Sequence, residues 1–349
     1  MNILIVAEKP SVSKSIAPIA RKHWPADQIT FVHANPYGNL KFKYPRGLSL
    51  TDFPQVSEPA DAILPWAEWH AQPILMAADG QLSLGVMSGD LFAGADLIIC
   101  ACDPDHTGAN GFRVIMQQVF GDDRFMDCPA MTMFALDDKS VQKAIANLRP
   151  FKEAAAEALH YGRMKRFFDW NWNVNSLAVL GAAMRRAGVS ADAPPMSKYA
   201  LQLLYRIRDQ EAVSEMDLCH EMHRWQGTGR YQPTVRDWRQ ALGSMVSQVP
   251  IIENLRSAGL IHAVRPTTPD AAWTASTTCS PRPTGGPRRV IEITPLGRAF
   301  LAALHPGCLD PDLPFRLHAW CEQGEAAKPA MTRYLNTFFS RQLRFRPKA

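Results

Sequence analysis

Two short apolar runs, each ending abruptly in acid, constrain the fold of this 349-residue chain more than any other feature. Ile3-Leu4-Ile5-Val6-Ala7 runs into Glu8-Lys9-Pro10-Ser11, and Leu97-Ile98-Ile99-Cys100-Ala101-Cys102 runs into Asp103-Pro104-Asp105. Continuous runs of this kind mark strands buried on both faces, as in a parallel α/β sheet. Loops leaving the carboxyl ends of such strands gather on one edge, where ligands bind. Pro10 ends the first strand, Ser11 is placed to cap a helix, and Val12, Ile16 and Ile19 recur at helical spacing. Pro104 biases Asp103 away from the helical region, Gly108 permits a tight bend, and Phe112, Ile115, Met116 and Val119 mark a second helix. Glu8, Asp103 and Asp105 are thus placed to meet around one divalent cation. Hard oxygen ligands suit Mg²⁺, or Mn²⁺ in its place. The alternative is an ordinary strand end and an unrelated acidic turn.

A chain of this length with 46% apolar residues can hold two or three domains. The first apolar run is too short for a signal peptide, and no run approaches the roughly 18 residues of a membrane span. Seven cysteines without paired CxxC spacing argue against a disulfide framework and against zinc ribbons. These features lead to the expectation of a cytoplasmic protein with no membrane partner. Charge is unevenly spread: residues 1–150 carry a net −4 and residues 151–349 a net +9, with 21 of the latter's 26 basic residues being Arg. A basic half beside an acidic one fits a partner bearing phosphates.

The segment Ile5-Val6-Ala7-Glu8-Lys9-Pro10-Ser11, taken with Asp103-Pro104-Asp105, resembles the Toprim domain of type IA DNA topoisomerases, nearest the topoisomerase III branch. Tyr44-Pro45-Arg46 and the residues after it, with His33 upstream, are similar to a following segment of that branch. The resemblance covers roughly the first 200 residues. It implies that Glu8 transfers a proton at the scissile phosphate, Lys9 stabilises phosphate charge, and Asp103 and Asp105 hold Mg²⁺. The family's third acidic position is Thr107 here, which implies a weaker metal site. His106 either takes over a phosphate or proton-transfer role or is a polar turn residue.

Residues 152–187 read as one or two long helices. Arg163, Lys165 and Arg166 alternate there with Phe167, Trp170, Asn173 and Asn175, a pattern that neutralises phosphates and stacks bases of a single strand. The same spacing also puts Phe167, Trp170 and Val174 on one buried stripe. Asp169-Trp170 and Asn175 are similar to a motif that follows Toprim in the family, and Ser197 and Gln202 to a later one. The family's nucleophilic Tyr, in a Tyr-Pro-Arg-Thr context, has no counterpart after Asp105, so the resemblance implies that any gate is supplied by a protein partner.

Residues 196–306 read as a winged helix-turn-helix. A first helix spans 197–209, a second opens at Ser214, and a recognition helix spans 247–258 with Pro250 in its first turn and Gly259 after its end. Strands at 260–264 and 290–293 flank a long wing loop, and Thr294-Pro295 starts a last helix. Arg256, Arg288 and Arg289 would contact phosphates. The tail, 307–349, is either another strand-binding element or a helix docked on the core.

The expected fold is thus an α/β Toprim (Rossmann-like parallel sheet) domain over 1–150, then a mainly α region: a helical DNA-binding linker at 151–195, the winged helix and the tail. The expected partner is DNA, single-stranded or locally opened. Two functions remain open: a Mg²⁺-dependent nuclease or topoisomerase-like factor, or a non-catalytic accessory or transcriptional regulatory protein.

Overall fold

The structure is a computed structural model that describes residues 1–33, 40–63, 74–76, 82–84, 89–208, 213–214, 245–264, 290–308, 310 and 312–347. It divides into two compact units: Met1–Tyr44, Glu58–Phe167 and Cys321–Ala326 form the first, and Pro45–Ser57, Phe168–Trp320 and Ala327–Ala349 the second. The division falls inside a helix at 167/168 and not at 150, and the tail belongs mainly to the second unit.

The first unit is built on a five-stranded sheet. Its strands are β1 (Asn2–Ala7), β2 (Gln28–His33), β3 (Leu97–Ala101), β4 (Pro129–Ala130) and β5 (Arg149–Pro150), in the order β2-β1-β3-β4-β5. All neighbours are parallel except β4 and β5. β1 is buried on both sides. Ile3, Ile5 and Ala7 pack with Val12, Ile16 and Ile19 of α1 (Pro10–His23) and with Val141 and Ile145 of α3 (Asp138–Ala146). Leu4 and Val6 pack on the opposite face with Phe112, Ile115 and Met116 of α2 (His106–Phe120). The period-2 alternation of a strand accounts for this split of one apolar run between two cores.

Two local expectations shift. Lys9, not Ser11, is the N-cap of α1, because Pro10 already has the φ of a first helical residue and starts the helix one position earlier. Gly108 makes no bend; it lies in the first turn of α2, where a Cβ would meet the backbone oxygen of Asp103 at 2.2 Å. A second close approach backs α2: a Cβ at Gly162, in α4 (Ala156–Asn175), would lie 1.5 Å from Asn110 Nδ2. Asn110 Nδ2 itself donates to His106 O at 2.8 Å, so small size at Gly162 lets α4 support the start of α2.

In the second unit, Trp172 is surrounded by rings: Phe338 at 4.9 Å, Phe339 at 5.3 Å and Phe168 at 6.2 Å between centroids. Phe338 and Phe339 lie on α9 (Lys328–Arg344), so the tail is a helix docked on this core. The remaining described elements are helical with one small antiparallel sheet. They include α5 (Lys198–Ile207), β6 (Val213–Ser214), α6 (Met245–Ser257), β7 (Ile261–Val264), β8 (Val290–Ile293), α7 (Pro295–Ala302) and α8 (Leu313–Gln323), the sheet order being β6-β8-β7. Gly259, at φ 72°, ends α6 with the left-handed residue expected there. Pro250 falls in the second turn of α6, since the helix begins two residues earlier than expected. Ser214 is in a strand, and both the helix expected after it and the wing loop with Arg288 and Arg289 lie outside the described residues. Among the described residues no helix is long and apolar enough to cross a membrane.

Asn171 and Asn175, one turn apart on α4, hold the extended segment 55–57. Asn171 Oδ1 accepts from Ser57 N at 2.9 Å and its Nδ2 donates to Ser57 O at 2.9 Å. Asn175 Oδ1 accepts from Gln55 N at 2.8 Å and its Nδ2 donates to Gln55 O at 2.6 Å. The two side chains thereby replace a partner strand. Removing one leaves part-buried backbone groups without a partner, at about 1–3 kcal/mol. We expect Asn175→Ala to lose about 3 kcal/mol in denaturant unfolding.

Candidate functional site

The parallel register of β1 with β3 pairs Ala7 with Ala101, so the chain leaves both strands side by side and Lys9 comes level with Asp103. β1 has β2 on one side and β3 on the other. In open α/β sheets ligands bind outside the carboxyl ends of strands whose connections diverge in this way. Lys9 Nζ donates to Asp103 Oδ2 at 2.6 Å, an ion pair with both side chains partly exposed. This hydrogen bond, aided by the negative charges of Asp103, Glu8 and Asp105, raises the Lys9 pKa against the opposing effect of burial.

Asp105 caps α2. Its Oδ1 accepts from Thr107 N at 2.8 Å and from Gly108 N at 2.9 Å, as N-cap carboxylates do. The position matching the family's third acid therefore serves the fold through its backbone N–H.

Glu8 is the carboxyl of the site held furthest from solvent partners. Its Oε2 is buried without a hydrogen-bond partner among the described residues. Burial raises its pKa, and the charge of Asp103 and then of Asp105 adds to the rise, while Lys9 and a hydrogen bond from the Asp103 backbone oppose it. A carboxyl of this kind holds its proton to higher pH than a solvated glutamate and suits acid–base work.

Glu8, Lys9, Asp103 and Asp105 thus share one sheet edge. His106 is the first residue of α2, half-buried, with its ring 5.0 Å from that of Tyr161. Among the described residues no three His, Cys, Asp or Glu side chains converge as a ready-made metal cage.

Further along the chain the structure buries several of the residues expected to face DNA. Arg163 is exposed, Lys165 is half-buried, and the Arg166 guanidinium lies 4.4 Å over the Phe42 ring. Trp170 is 3% exposed, and Asn175 and Gln202 are 0% exposed. Asn175 is the clamp described above, and Gln202 Oε1 accepts from Asp310 N at 3.0 Å. All three side chains are buried in this structure, and Asn175 and Gln202 are engaged with backbone inside the second unit. Asn173 is half-buried, and Arg256 is paired with Glu253 on α6. Asn171 and Gly162 were missed. The Asn171/Asn175 spacing of four on an otherwise apolar stripe was the available signal for the first, and nothing local marks the second.

No family model and no curated protein matches this sequence. Among solved structures, full-length topoisomerase I from Thermotoga maritima is similar at 14% identity and a TM-score of 0.37. That similarity covers 60% of this chain and 32% of that chain, so this protein spans about a third of the length of its neighbour. A TM-score of 0.37 is too low to carry an argument about fold or activity.

Two outcomes follow from this geometry. The fold favours protonated Glu8, so its contribution to stability is complete below the ordinary value of 4.5 and is lost as pH rises through the raised native value. Glu8→Gln should therefore melt higher than wild type at pH 8, with the gap closing towards pH 4.5 in thermal melts across that range. Gly108→Ala forces the α2 N-terminus off the Asp103 loop and should lower stability by about 2 kcal/mol in denaturant unfolding.

Proposed function

We propose that the first unit is a Toprim-type site and that the protein acts on DNA phosphodiesters, as a nuclease or topoisomerase-like factor. The observation that carries this reading is the placement of Glu8, Lys9, Asp103 and Asp105 at the carboxyl ends of adjacent parallel strands, with Lys9 paired to Asp103. An all-oxygen donor set and an orphaned buried Glu8 Oε2 fit a hard divalent cation. Asp103 and Asp105 would hold Mg²⁺, or Mn²⁺ in its place, with Glu8 beside them. When bound, the cation neutralises charge on the phosphate.

The chain's own groups supply the rest. Lys9 exchanges Asp103 Oδ2 for a phosphate oxygen and clamps it. Glu8, whose pKa burial raises, gives its proton to the leaving oxygen of the breaking P–O bond as a water attacks phosphorus, and the Glu8 carboxylate then takes up the proton that the water releases. Single-stranded or locally opened DNA fits the Arg-rich half, residues 151–349 at net +9, with Arg163 exposed on α4. Arg256 and a winged helix, with Arg288 and Arg289, belong to the same reading. Tyr-mediated strand passage would need a partner protein to supply the gate.

One observation favours a second reading. Lys9 already neutralises Asp103, Asp105 is engaged as a helix cap, and Thr107 stands where the family has a third acid. A non-catalytic DNA-binding accessory or regulatory protein, with this site as a phosphate dock, fits that arrangement.

The test uses supercoiled plasmid and single-stranded DNA with Mg²⁺ or Mn²⁺, wild type beside Asp103→Ala/Asp105→Ala, and a denaturing step to trap adducts. Nicked or shortened DNA without an adduct, lost in the variant, is the expected result. Intact DNA in every lane, with equal binding by both proteins, selects the accessory reading.

A further inference from the structure

The C-terminal helix α9 lines a cleft of about 610 Å³ in the second unit. Residues four apart on a helix form rows on its surface. One row is Asn336, Ser340 and Arg344; its neighbour is Thr337, Arg341 and the C-cap residue Phe345. His305 faces them, its ring edge-on to Phe345 with centroids 5.4 Å apart.

This wall is built rather than incidental. Gln342, 1% exposed, ties the His305 turn to α9: its Oε1 accepts from His305 N at 2.9 Å and its Nε2 donates to Ala303 O at 3.0 Å. His305 Nδ1 accepts from Gly307 N at 2.9 Å, which leaves Nε2–H of the neutral ring as a donor. Arg346 is spent on the helix end, donating to the carbonyls of Leu343 and Phe345 at 2.9 and 3.1 Å. Arg341 and Arg344 are exposed and pair with no carboxylate among the described residues.

Two adjacent guanidinium groups fork onto phosphate oxygens bidentately. An aromatic ring beside them offers a face for a base, and hydroxyl and amide groups reach sugar and base edges. The volume lies within the roughly 300–1,000 Å³ usual for ligand sites. An inorganic anion would use the arginines alone, whereas Phe345 and Asn336 suit a nucleotide. We propose that this cleft is a separate binding site for single-stranded DNA, with Arg341 and Arg344 on the backbone phosphates and a base on Phe345. The inference rests on the reading of the protein as DNA-binding but uses none of the acidic-cluster residues.

The test is fluorescence anisotropy of a labelled oligothymidylate on the full chain, without divalent cation, over a series of salt concentrations. Arg341→Ala/Arg344→Ala should weaken binding about tenfold and flatten the log–log salt slope by about 1.4, two contacts' worth for a single strand. Arg341→Lys/Arg344→Lys should keep the slope while losing part of the affinity. Phe345→Ala should weaken binding with the slope unchanged. Both arginines are exposed, so their variants should melt as wild type does. Unchanged affinity and slope in Arg341→Ala/Arg344→Ala overturn the proposal, as does displacement by polyglutamate as readily as by unlabelled oligothymidylate. If wild type binds no oligonucleotide at low salt, the DNA-binding reading falls with it. If plasmid cleavage is lost in Asp103→Ala/Asp105→Ala while the arginine variant binds normally, only the cleft is lost.

Discussion

The parallel pairing of β1 with β3 governs the candidate site, because it fixes which residues leave the sheet together. Ala7 opposite Ala101 leaves no freedom of register, since both strands are buried on both faces and a one-residue slip would exchange their two cores. Once the strands are locked, Glu8, Lys9 and Asp103 emerge side by side. Glu8 bears the cost of burial first and of the neighbouring Asp103 and Asp105 charges second, partly offset by Lys9, and its Oε2 stays buried and unpartnered among the described residues. Groups held against their own stability in this way mark functional edges of a sheet more often than structural ones.

Close packing makes that edge rigid. Gly108 lets the first turn of α2 lie against Asp103, and Gly162 lets α4 lie against Asn110 at the same end of α2. Asp105 adds an N-cap, so the loop between β3 and α2 is held at both its ends. A site carried on a strand end and a capped helix is positioned more precisely than one on a free loop.

The second unit uses polar residues differently. Asn171, Asn175, Gln202 and Gln342 are all at 0–1% exposure, and each binds backbone of a segment that has no strand partner of its own. Burying an amide is favourable only when its hydrogen bonds are met; Asn171, Asn175 and Gln342 each meet both an N–H and a C=O, whereas Gln202 Oε1 accepts from Asp310 N and its Nε2 has no hydrogen-bond partner among the described residues. The same residue types that suggest base recognition in a sequence therefore act here as internal mortar, and the surface chemistry moves to the exposed rows of α9.

The two acid-tipped strands, the helices that follow them and the left-handed Gly259 were all legible from residue order, because each depends on local periodicity, on Pro and Gly geometry or on caps. So was the candidate acidic cluster, since parallel strands of equal burial can hardly end anywhere but at a common edge. Other features depended on tertiary structure. The burial of Asn175 and Gln202 arose from contacts with segments far away in the chain, which no helical pattern reveals, whereas that of Trp170 was already legible in the stripe it shares with Phe167 and Val174. The need for glycine at 108 came from the close approach of the Asp103 backbone, and at 162 from the Asn110 side chain, both within the first unit. The cleft at α9 required the turn at His305 to fold back on a helix thirty-odd residues later. Sequence alone determined which residues could carry phosphate chemistry; packing decided which of them face the solvent, because exposure is a property of neighbours distant along the chain.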